Sequence, residues 1–246
     1  MAKATKKRKT KGKRKSGLRA WIGAELRQVL RWAWRGVLLA GCLVLLWVLS
    51  YSLINPPTTI YMSQEQRRLG AIKQDWVPRD QIAPVMFRSV VAAEDANYCN
   101  HWGFDMAAIR AAIAAGGARG GSTISQQVVK NAFLWHGRTW TRKALEAALT
   151  PAVELFWSKE RILEVYLNVA EFDEGVFGVG AAAQHYFGVG AAELSKVQAA
   201  RLAAILPSPK SRSASKPAEF VRRRAAQILD GAETIRRDGR AACFED

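Results

Sequence analysis

The sequence predicts a mainly α-helical protein that is preceded by one N-terminal transmembrane helix. Three observations support this fold class. An uncharged apolar run lies near the N-terminus, helical hydrophobic periodicity recurs from residue 81 onward, and no segment alternates polar and apolar residues as a half-buried strand does. The chain has 246 residues, of which 49 % are hydrophobic, so a packed domain with appendages is expected and global disorder is excluded.

The positive charge of the chain is concentrated at its N-terminus. The formal net charge is +16; residues 1–36 supply +12 of it, with thirteen Lys and Arg against one acid, and residues 37–246 supply the remaining +4. A nucleic-acid-binding domain normally carries its basic residues on the folded part. We therefore predict no nucleic-acid partner and a basic cytoplasmic tail, residues 1–35, that lies on anionic lipid headgroups.

Residues 36–54 form the predicted transmembrane helix. At 1.5 Å per residue the run spans roughly 28 Å, close to the ~30 Å hydrocarbon core of a bilayer. A cleaved signal peptide is the alternative, but the run ends at Asn55-Pro56-Pro57 rather than at small residues. The excess of Lys and Arg before the single span predicts a cytoplasmic N-terminus. Everything after residue 55 is then expected outside, which in a bacterium, with the span in the inner membrane, means the periplasm.

Residues 55–80 are predicted to be a linker or membrane-proximal segment. Prolines interrupt this stretch, and only residues 58–62 have the composition of a short strand. From residue 81 to residue 246 we predict one helical domain, in which Pro151 kinks or divides the helix that contains it. The residues predicted to begin helices are Pro84, Asp105, Ser122, Thr141, Ser158, Ser195 and Pro217.

The first candidate site lies at the end of an apolar helix. Glu94 and Asp95 terminate this helix, and His101 and Asp105 follow shortly after. Burial raises the pKa of a carboxyl group because it disfavours the charged form, which makes such a group a usable general acid or base. On spacing alone, solvated acids at a helix end and a hydrogen-bonded core histidine are the more ordinary interpretation.

Two further clusters carry groups that suit an anion. Residues 120–131, GGSTISQQVVKN, place glycines before a helix start rich in hydroxyls and amides, where backbone N–H groups hold an anion or a sugar. Downstream, Lys143 and Glu146 share a helix face, and Arg138 precedes them. A cationic face beside a carboxylate fits a phosphate leaving group next to an acid or base. Taken singly, an ordinary loop and a surface salt bridge are the alternatives.

In this order the clusters closely resemble the monofunctional biosynthetic peptidoglycan transglycosylases of glycosyltransferase family 51. The resemblance covers about residues 77–210. The segments that carry it are Glu94-Asp95, His101, Gly103-Phe104-Asp105, GGSTISQQVVKN at 120–131, RKALE at 142–146, KERILEVYLN at 159–168, AAAQHYFG at 181–188 and LSKVQAARLAAILPSP at 194–209. It implies a lysozyme-like α-helical lobe with a small membrane-proximal jaw. The implied activity is polymerisation of lipid II into glycan strands, with inversion and release of undecaprenyl diphosphate.

The resemblance also implies roles for individual residues. Glu94 matches the glutamate expected to act as general base on the 4-hydroxyl of the acceptor sugar. Glu146 matches a second glutamate that is expected to help at the donor diphosphate. The basic residues expected to hold the pyrophosphate are Lys130, Arg138 and Lys143. The substrate-binding stretch contains Ser122, Gln126, Gln127 and Asn131, and the expected structural supports are Asp95, His101 and Asp105.

No obligatory cofactor is expected, because one carboxylate base and a cationic clamp suffice once the charge of the leaving diphosphate is held. A divalent cation, Mg²⁺ or Mn²⁺, is compatible with this chemistry, but the three histidines have no metal-ligand spacing and no metal site is predicted. The expected partners are lipid II, the nascent glycan strand and membrane lipids, with proteins of cell wall synthesis or division as further candidates. Residues 133–135 and Trp140 fit contact with headgroups and plain core packing equally well.

One disulfide is compatible with the three cysteines of the chain. Cys99 and Cys243 lie on the oxidising side of the membrane under the predicted topology, and a bond between them would pin the C-terminus to the active-site loop. This pairing requires Cα atoms within ~7 Å of each other. Cys42 lies in the predicted span and is expected to stay free.

Two other functions fit parts of the pattern. A lysozyme-like lytic transglycosylase would also use a glutamate on a helical lobe, but it would not need the clamp of Lys130, Arg138 and Lys143 or a second glutamate. The other function is a membrane-anchored scaffold that recruits division or elongation proteins through the basic tail. It would need neither the cationic clamp nor the glutamates.

Overall fold

One long helix occupies the N-terminal part of the computed structural model, which describes residues 11–116, 121–137 and 139–245, with side chains from residue 25 onward. This helix, α1, runs from Lys11 to Ser50, and its stretch Glu25–Ser50 is the one described segment long and apolar enough to cross a membrane. Its apolar side chains are exposed, such as Leu39 at 62 %. The helix ends at Ser50 rather than at Ile54, where the sequence places the end of the span.

The other elements belong to a second compact unit that begins at Val48. Its helices are α2 (Ile60–Leu69), α3 (Pro84–Glu94), α4 (Met106–Ala114), α5 (Ile124–Phe133), α6 (Trp140–Phe156), α7 (Lys159–Val169), α8 (Val179–Phe187), α9 (Lys196–Ile205) and α10 (Glu219–Arg237). The predicted mainly α class is therefore confirmed. Residues 1–10 of the predicted basic tail lie outside the described part of the chain.

Local sequence signals begin most of these helices. Asp105 caps α4, and its Oδ1 accepts the backbone N–H groups of Ala107 and Ala108 at 2.9 and 2.8 Å. The start predicted at Ser122 lies one residue later, because Thr123 is the N-cap of α5 and forms a capping box with Gln126. The predicted starts at Pro84, Ser158 and Ser195 are found. Helix α6 begins at Trp140, one residue before Thr141, with Thr139 as its cap, and α10 begins two residues after Pro217.

Two groups of helices form the core, and they position the C-terminal end of α3 and the N-terminal part of α5. The helices α3, α9 and α10 pack against one another, and α5 packs against both α6 and α7. Fully buried side chains on these helices include Met86, Val90, Val128, Leu163, Leu167 and Leu202. The C-terminal end of α3 and the N-terminal part of α5 are consequently held by different sets of neighbours.

The linker prediction for residues 55–80 misses helix α2. Thr59 caps this helix, and its hydroxyl oxygen accepts the backbone N–H of Met62 at 3.2 Å. Tyr61 and Met62 are buried in the core, with exposures of 7 % and 0 %. Their burial stabilises the helix through tertiary contacts, which the local polar composition of the segment does not reveal.

A small sheet is also absent from the sequence-based prediction. Its strands are β1 (Lys73–Gln74), β2 (Glu171–Asp173) and β3 (Val176–Phe177), in the spatial order β1-β3-β2. β3 pairs in parallel with β1 and antiparallel with β2. Strands of two or three residues are too short to show an alternating pattern, so only the tertiary fold reveals them.

Pro151 does not divide the helix that contains it. Helix α6 runs continuously from Trp140 to Phe156, with the proline in its interior. On the turn before the proline, the Thr150 hydroxyl donates to the Glu146 carbonyl at 2.7 Å. Burial of Glu146, Thr150 and Val153 holds both halves of the helix against the core.

Candidate active site

Glu94 is the last residue of α3, and its carboxylate contacts α5. Its Oε2 accepts a hydrogen bond from Nε2 of Gln127 at 2.9 Å, and Oε1 of Gln127 accepts one from the Tyr166 hydroxyl at 3.3 Å. Burial raises the pKa of Glu94, and this effect exceeds the opposing effects of the Gln127 hydrogen bond and of the positive charges of Arg224 and Lys130. A carboxylate with a raised pKa is suited to proton abstraction near neutral pH.

Asp95 and His101 form a buried pair beside this glutamate. Oδ1 of Asp95 lies 2.8 Å from Nε2 of His101, and Oδ2 of Asp95 accepts the backbone N–H of Ile124 at 3.0 Å. Ile124 is the first residue of α5, so the aspartate ties the end of α3 to the start of α5. This geometry agrees with the structural role that the resemblance implies for both residues.

A second tie between the same segments depends on Gly103. The Thr123 hydroxyl donates to the Gly103 carbonyl at 2.7 Å. Gly103 has φ +79°, and a Cβ added there would lie 2.6 Å from Cγ2 of Thr150. A side chain is therefore excluded both by backbone conformation and by the close approach of α6.

Asp105 serves as the N-cap of α4. Besides the two N–H groups of α4, its carboxylate accepts a hydrogen bond from Nδ2 of Asn97 at 2.9 Å. The backbone N–H of Ala108, followed by the Asn97 amide, lowers the pKa of Asp105. The observed contacts of Asp105 are those of a helix cap, and its supporting role at the site stays a prediction.

Glu146 lies on α6 and is held by two cations from the preceding turn. Nη1 of Arg142 donates to its Oε2 at 2.6 Å, and Nζ of Lys143 bonds its Oε1. Lys143 also donates to the Ser122 hydroxyl at 3.0 Å, so α6 is joined to the loop before α5. Glu146 is 2 % exposed, whereas the Lys143 side chain is 41 % exposed and reaches the solvent side of the cluster.

Lys130 on α5 connects the two glutamate sites. Burial lowers its pKa, the charges of Glu146 and Glu94 raise it, and those of Arg142 and Lys143 lower it. Interactions of this kind act over short distances because solvent and salt screen distant charges. The structure therefore brings Glu94, Lys130, Lys143 and Glu146 into one site, although they come from three separate parts of the sequence.

The two remaining described residues of the predicted substrate-binding stretch, Gln126 and Asn131, are buried and have different hydrogen-bond partners. Gln126 is buried and its Oε1 accepts the backbone N–H of Thr123 at 3.1 Å, so its amide completes the cap of α5. Asn131 is 8 % exposed, and its Oδ1 lies 3.2 Å from Nε2 of His136. Arg138 lies outside the described residues, as do residues 117–120 of the glycine-rich loop.

A cavity of about 400 Å³ adjoins the cationic cluster. Its lining includes Tyr61, His136, Glu171 and Lys210. The rings of Tyr61 and His136 stack in parallel with centroids 3.4 Å apart. Burial, followed by the charges of Lys130 and other nearby cations, lowers the pKa of His136 to about 4. The cavity thus combines an aromatic wall with polar groups next to the predicted clamp.

The site contains two arginines that the sequence prediction omitted. Arg142 has a local signal, since it lies four residues before Glu146 on the same helix face. Arg224 lies on α10, and its Nη2 donates to the Ala93 carbonyl at 3.1 Å. No local pattern identifies Arg224, because its partner is 131 residues away in sequence.

The Cys99–Cys243 disulfide is present in the structure. The Cα atoms of the two cysteines are 5.6 Å apart, within the limit that the pairing requires. The bond lies beside Phe244, which is 1 % exposed and packs against Tyr98 with ring centroids 6.2 Å apart. The C-terminal segment is therefore fastened to the loop that follows Glu94. Cys42 is free and exposed.

The aromatic residues for which headgroup contact and core packing were both predicted differ in exposure. Phe133 and Leu134 pack in the core, with exposures of 3 % and 5 %. Trp140, at the first position of α6, is 91 % exposed. Among the described residues, no group of three or more His, Cys, Asp or Glu side chains is placed to hold a metal ion.

A helical scaffold that presents a half-buried carboxylate beside a cationic cluster is typical of an enzyme that transfers a group from a phosphate leaving group. The family model described as Transglycosylase matches residues 62–233, and the chain belongs to this family. The match confirms the family predicted from the motifs.

Several relatives carry the name biosynthetic peptidoglycan transglycosylase. The protein of that name from Jannaschia sp. is 65 % identical over 214 residues, which is 87 % of this chain and 90 % of the relative. One from Pseudomonas putida is 50 % identical over 199 residues, covering 77 % of this chain and 84 % of the relative. One from Caulobacter vibrioides is 46 % identical over 211 residues, covering 84 % and 91 %.

Proposed function

We propose that this chain is a membrane-anchored peptidoglycan glycosyltransferase that polymerises glycan chains in cell wall biosynthesis. Membership of the transglycosylase family and the biosynthetic names of its relatives favour chain building over the lytic alternative. The observation that carries the proposal is the position of Lys130 within range of both Glu94 and Glu146. This proximity supports a proposed base and a proposed cationic clamp for diphosphate acting together, a combination that glycan cleavage does not require.

In the proposed reaction, Glu94 accepts the proton of the 4-hydroxyl of lipid II. The resulting oxygen attacks the anomeric carbon of the lipid-linked growing glycan from the face opposite the diphosphate. The bond between this carbon and the diphosphate oxygen breaks, the electron pair remains on the departing oxygen, and undecaprenyl diphosphate is released. The configuration inverts because attack and departure take place on opposite faces.

The cationic cluster stabilises the charge that develops on the leaving group. Lys130 and Lys143 supply two positive charges, and Arg138 is proposed as a third. Glu146 holds Arg142 and Lys143 in place before substrate binds, so little reorganisation is needed as the diphosphate departs. Since Lys143 is partly exposed, it can contact a phosphate without losing its buried partner.

Gln127 orients the proposed base. Its amide N–H group donates to Glu94, while its carbonyl accepts the Tyr166 hydroxyl, so the direction of the amide is fixed from both sides. The second oxygen of Glu94 remains available to the acceptor hydroxyl. The cavity lined by Tyr61 and His136 is proposed to hold the sugar next to the diphosphate, because aromatic and polar walls suit a saccharide.

The proposed location is the bacterial inner membrane, with a cytoplasmic N-terminus and a periplasmic catalytic domain. The excess of basic residues before Glu25–Ser50 supports this orientation. The Cys99–Cys243 disulfide supports it as well, since such bonds persist in oxidising compartments. Lipid II and the nascent glycan are the substrates. Proteins of cell wall synthesis or division, and a non-obligatory Mg²⁺ or Mn²⁺ ion, are further proposed partners.

A lipid II polymerisation assay tests the function. With labelled lipid II, the full chain in detergent should yield a glycan polymer and undecaprenyl diphosphate. Glu94→Gln should reduce the rate by roughly a hundredfold to ten-thousandfold, because the variant keeps the shape of the side chain and loses the base. Glu219→Gln is the matched control, since Glu219 is an exposed carboxylate on α10. Release of soluble fragments from purified sacculi without any polymer would contradict the proposal.

A further inference from the structure

Three consecutive arginines on α10 have different surroundings. Arg222 and Arg223 are exposed, whereas Arg224 is half-buried. Nη2 of Arg224 donates to the carbonyl oxygen of Ala93 at 3.1 Å. Ala93 directly precedes Glu94, so the guanidinium lies at the last turn of α3, beside the proposed base.

This position suits a cation for two reasons. The last carbonyl groups of a helix lack partners within the helix, and Arg224 satisfies one of them. The C-terminal end of a helix also carries a partial negative charge that favours a cation. The two helices also pack closely further along: a Cβ added to Gly231, about two turns after Arg224 on α10, would lie 3.3 Å from Cβ of Ala92.

The charged and titratable groups that face Glu94 come from three other helices and from Asp95, the residue that follows it. Arg224 on α10 and Lys130 on α5 lower the pKa of Glu94, with Arg224 having the larger effect of the two, and Asp95 raises it. Tyr166 on α7 is a neutral neighbour, because burial holds the pKa of its hydroxyl well above the usual range. Lys130 is assigned to the leaving group, which leaves Arg224 as the cation that serves only the base.

We propose that Arg224 is a positioning residue for the general base: it holds the last turn of α3 and supplies the fixed positive charge next to the Glu94 carboxylate. The inference rests on the proposed role of Glu94 and deepens it. In the free enzyme, the charge of Arg224 favours the ionised form of this half-buried carboxylate, which is the form that accepts a proton. A residue on the C-terminal helix thereby sets the pH range in which the enzyme works.

The test compares the pH dependence of kcat/KM for lipid II polymerisation in the full chain, its Arg224→Gln and Arg224→Lys variants, and Arg223→Gln. Loss of the charge at position 224 should move the acidic limb of the profile to higher pH by about one unit, because a nearby opposite charge lowers a carboxyl pKa by about one unit or more. The rate below this limb should fall about tenfold, while the alkaline plateau stays close to that of the parent. Arg224→Lys should restore most of the shift, and Arg223→Gln should show none.

Thermal unfolding of each variant separates this role from simple support of the fold. An equal loss of kcat/KM by Arg224→Gln at every pH, without a shifted limb, would overturn the inference. So would an equal shift in Arg223→Gln. If Glu94→Gln retains polymerase activity, the proposed base itself is wrong, whereas an inactive Glu94→Gln with an unshifted Arg224→Gln refutes only the role of Arg224.

Discussion

Two glutamates at the site have contrasting environments. Glu94 is half-buried with one amide hydrogen bond, and burial raises its pKa. Glu146 is almost fully buried and bonded by two cations from the turn before it. A proton acceptor needs an accessible oxygen and benefits from a raised pKa, and Glu94 is half-buried with a raised pKa. A carboxylate bonded by Arg142 and Lys143 is better suited to holding cations in place.

Gly103 offers a residue-scale test of how the loop after Glu94 is supported. We expect Gly103→Ala to destabilise the folded chain by roughly 2–4 kcal/mol, because a positive φ strains a Cβ-bearing residue and the new methyl group overlaps Thr150. Denaturant unfolding measures this loss.

Gly70→Ala is the matched control for the overlap. Gly70 also has a positive φ, +83°, but a Cβ there meets nothing within 4 Å. Only the conformational cost of about 1 kcal/mol is therefore expected. Equal losses in the two variants would show that contact with α6 adds nothing at Gly103.

At the scale of elements, the segment after α10 is fastened to α3, which carries the proposed base, and to the loop that follows it. In addition to the disulfide, Nη1 of Arg88 bonds both carboxylate oxygens of Glu245 at 2.7 Å. Nη1 of Arg240 donates to the Ala96 carbonyl at 3.1 Å, and Nη2 of Arg79 donates to the Phe244 carbonyl at 2.8 Å. These contacts connect the C-terminal segment to both ends of α3.

We predict that Cys243→Ser lowers the free energy of unfolding by about 2–4 kcal/mol. The disulfide closes a loop of 144 residues, and such a crosslink stabilises mainly by restricting the unfolded chain. Denaturant unfolding with and without reductant measures the effect: reductant should weaken the parent and leave Cys243→Ser unchanged.

Cys42→Ser is the control for this prediction. Cys42 is free, so the variant should respond to reductant as the parent does. A parent protein whose unfolding midpoint is insensitive to a strong reductant, under conditions in which free thiols are shown to appear, would contradict the stabilising role of the crosslink.

At the scale of the whole molecule, the distribution of charge indicates how the chain is oriented. The N-terminal 36 residues carry +12 of the net charge of +16, directly before the apolar helix. The rest of the chain, which includes the site, is nearly balanced. We therefore interpret most of the overall basicity as a signal for topology and membrane binding, while Lys130, Arg138 and Lys143 are the basic side chains proposed to serve the chemistry.

We predict that alkaline phosphatase fused after residue 246 is active in bacterial cells, because this enzyme folds only where disulfides form. A fusion to a cytoplasmic fluorescent protein at the N-terminus should be fluorescent in the same cells. An inactive phosphatase on a full-length, membrane-bound fusion would contradict the proposed topology.

The sequence by itself determined the features whose causes lie within a few residues. The apolar span, most helix starts, the cap at Asp105 and the pair of Lys143 and Glu146 follow from local composition, capping and helical spacing. The ordered motifs indicated the family in the same way. The continuous helix through Pro151 was not predictable locally, since packing on both sides of the proline holds it.

Only the tertiary structure decided how these parts meet. It brought Lys130 within range of both glutamates, enclosed Gln126 in a helix cap, buried one side of α2 and placed Arg224 beside Glu94. Each of these outcomes depends on contacts between segments that are far apart in the chain. Their free energy comes from the packing of whole helices, which no local pattern encodes, whereas capping and periodicity act within one or two turns.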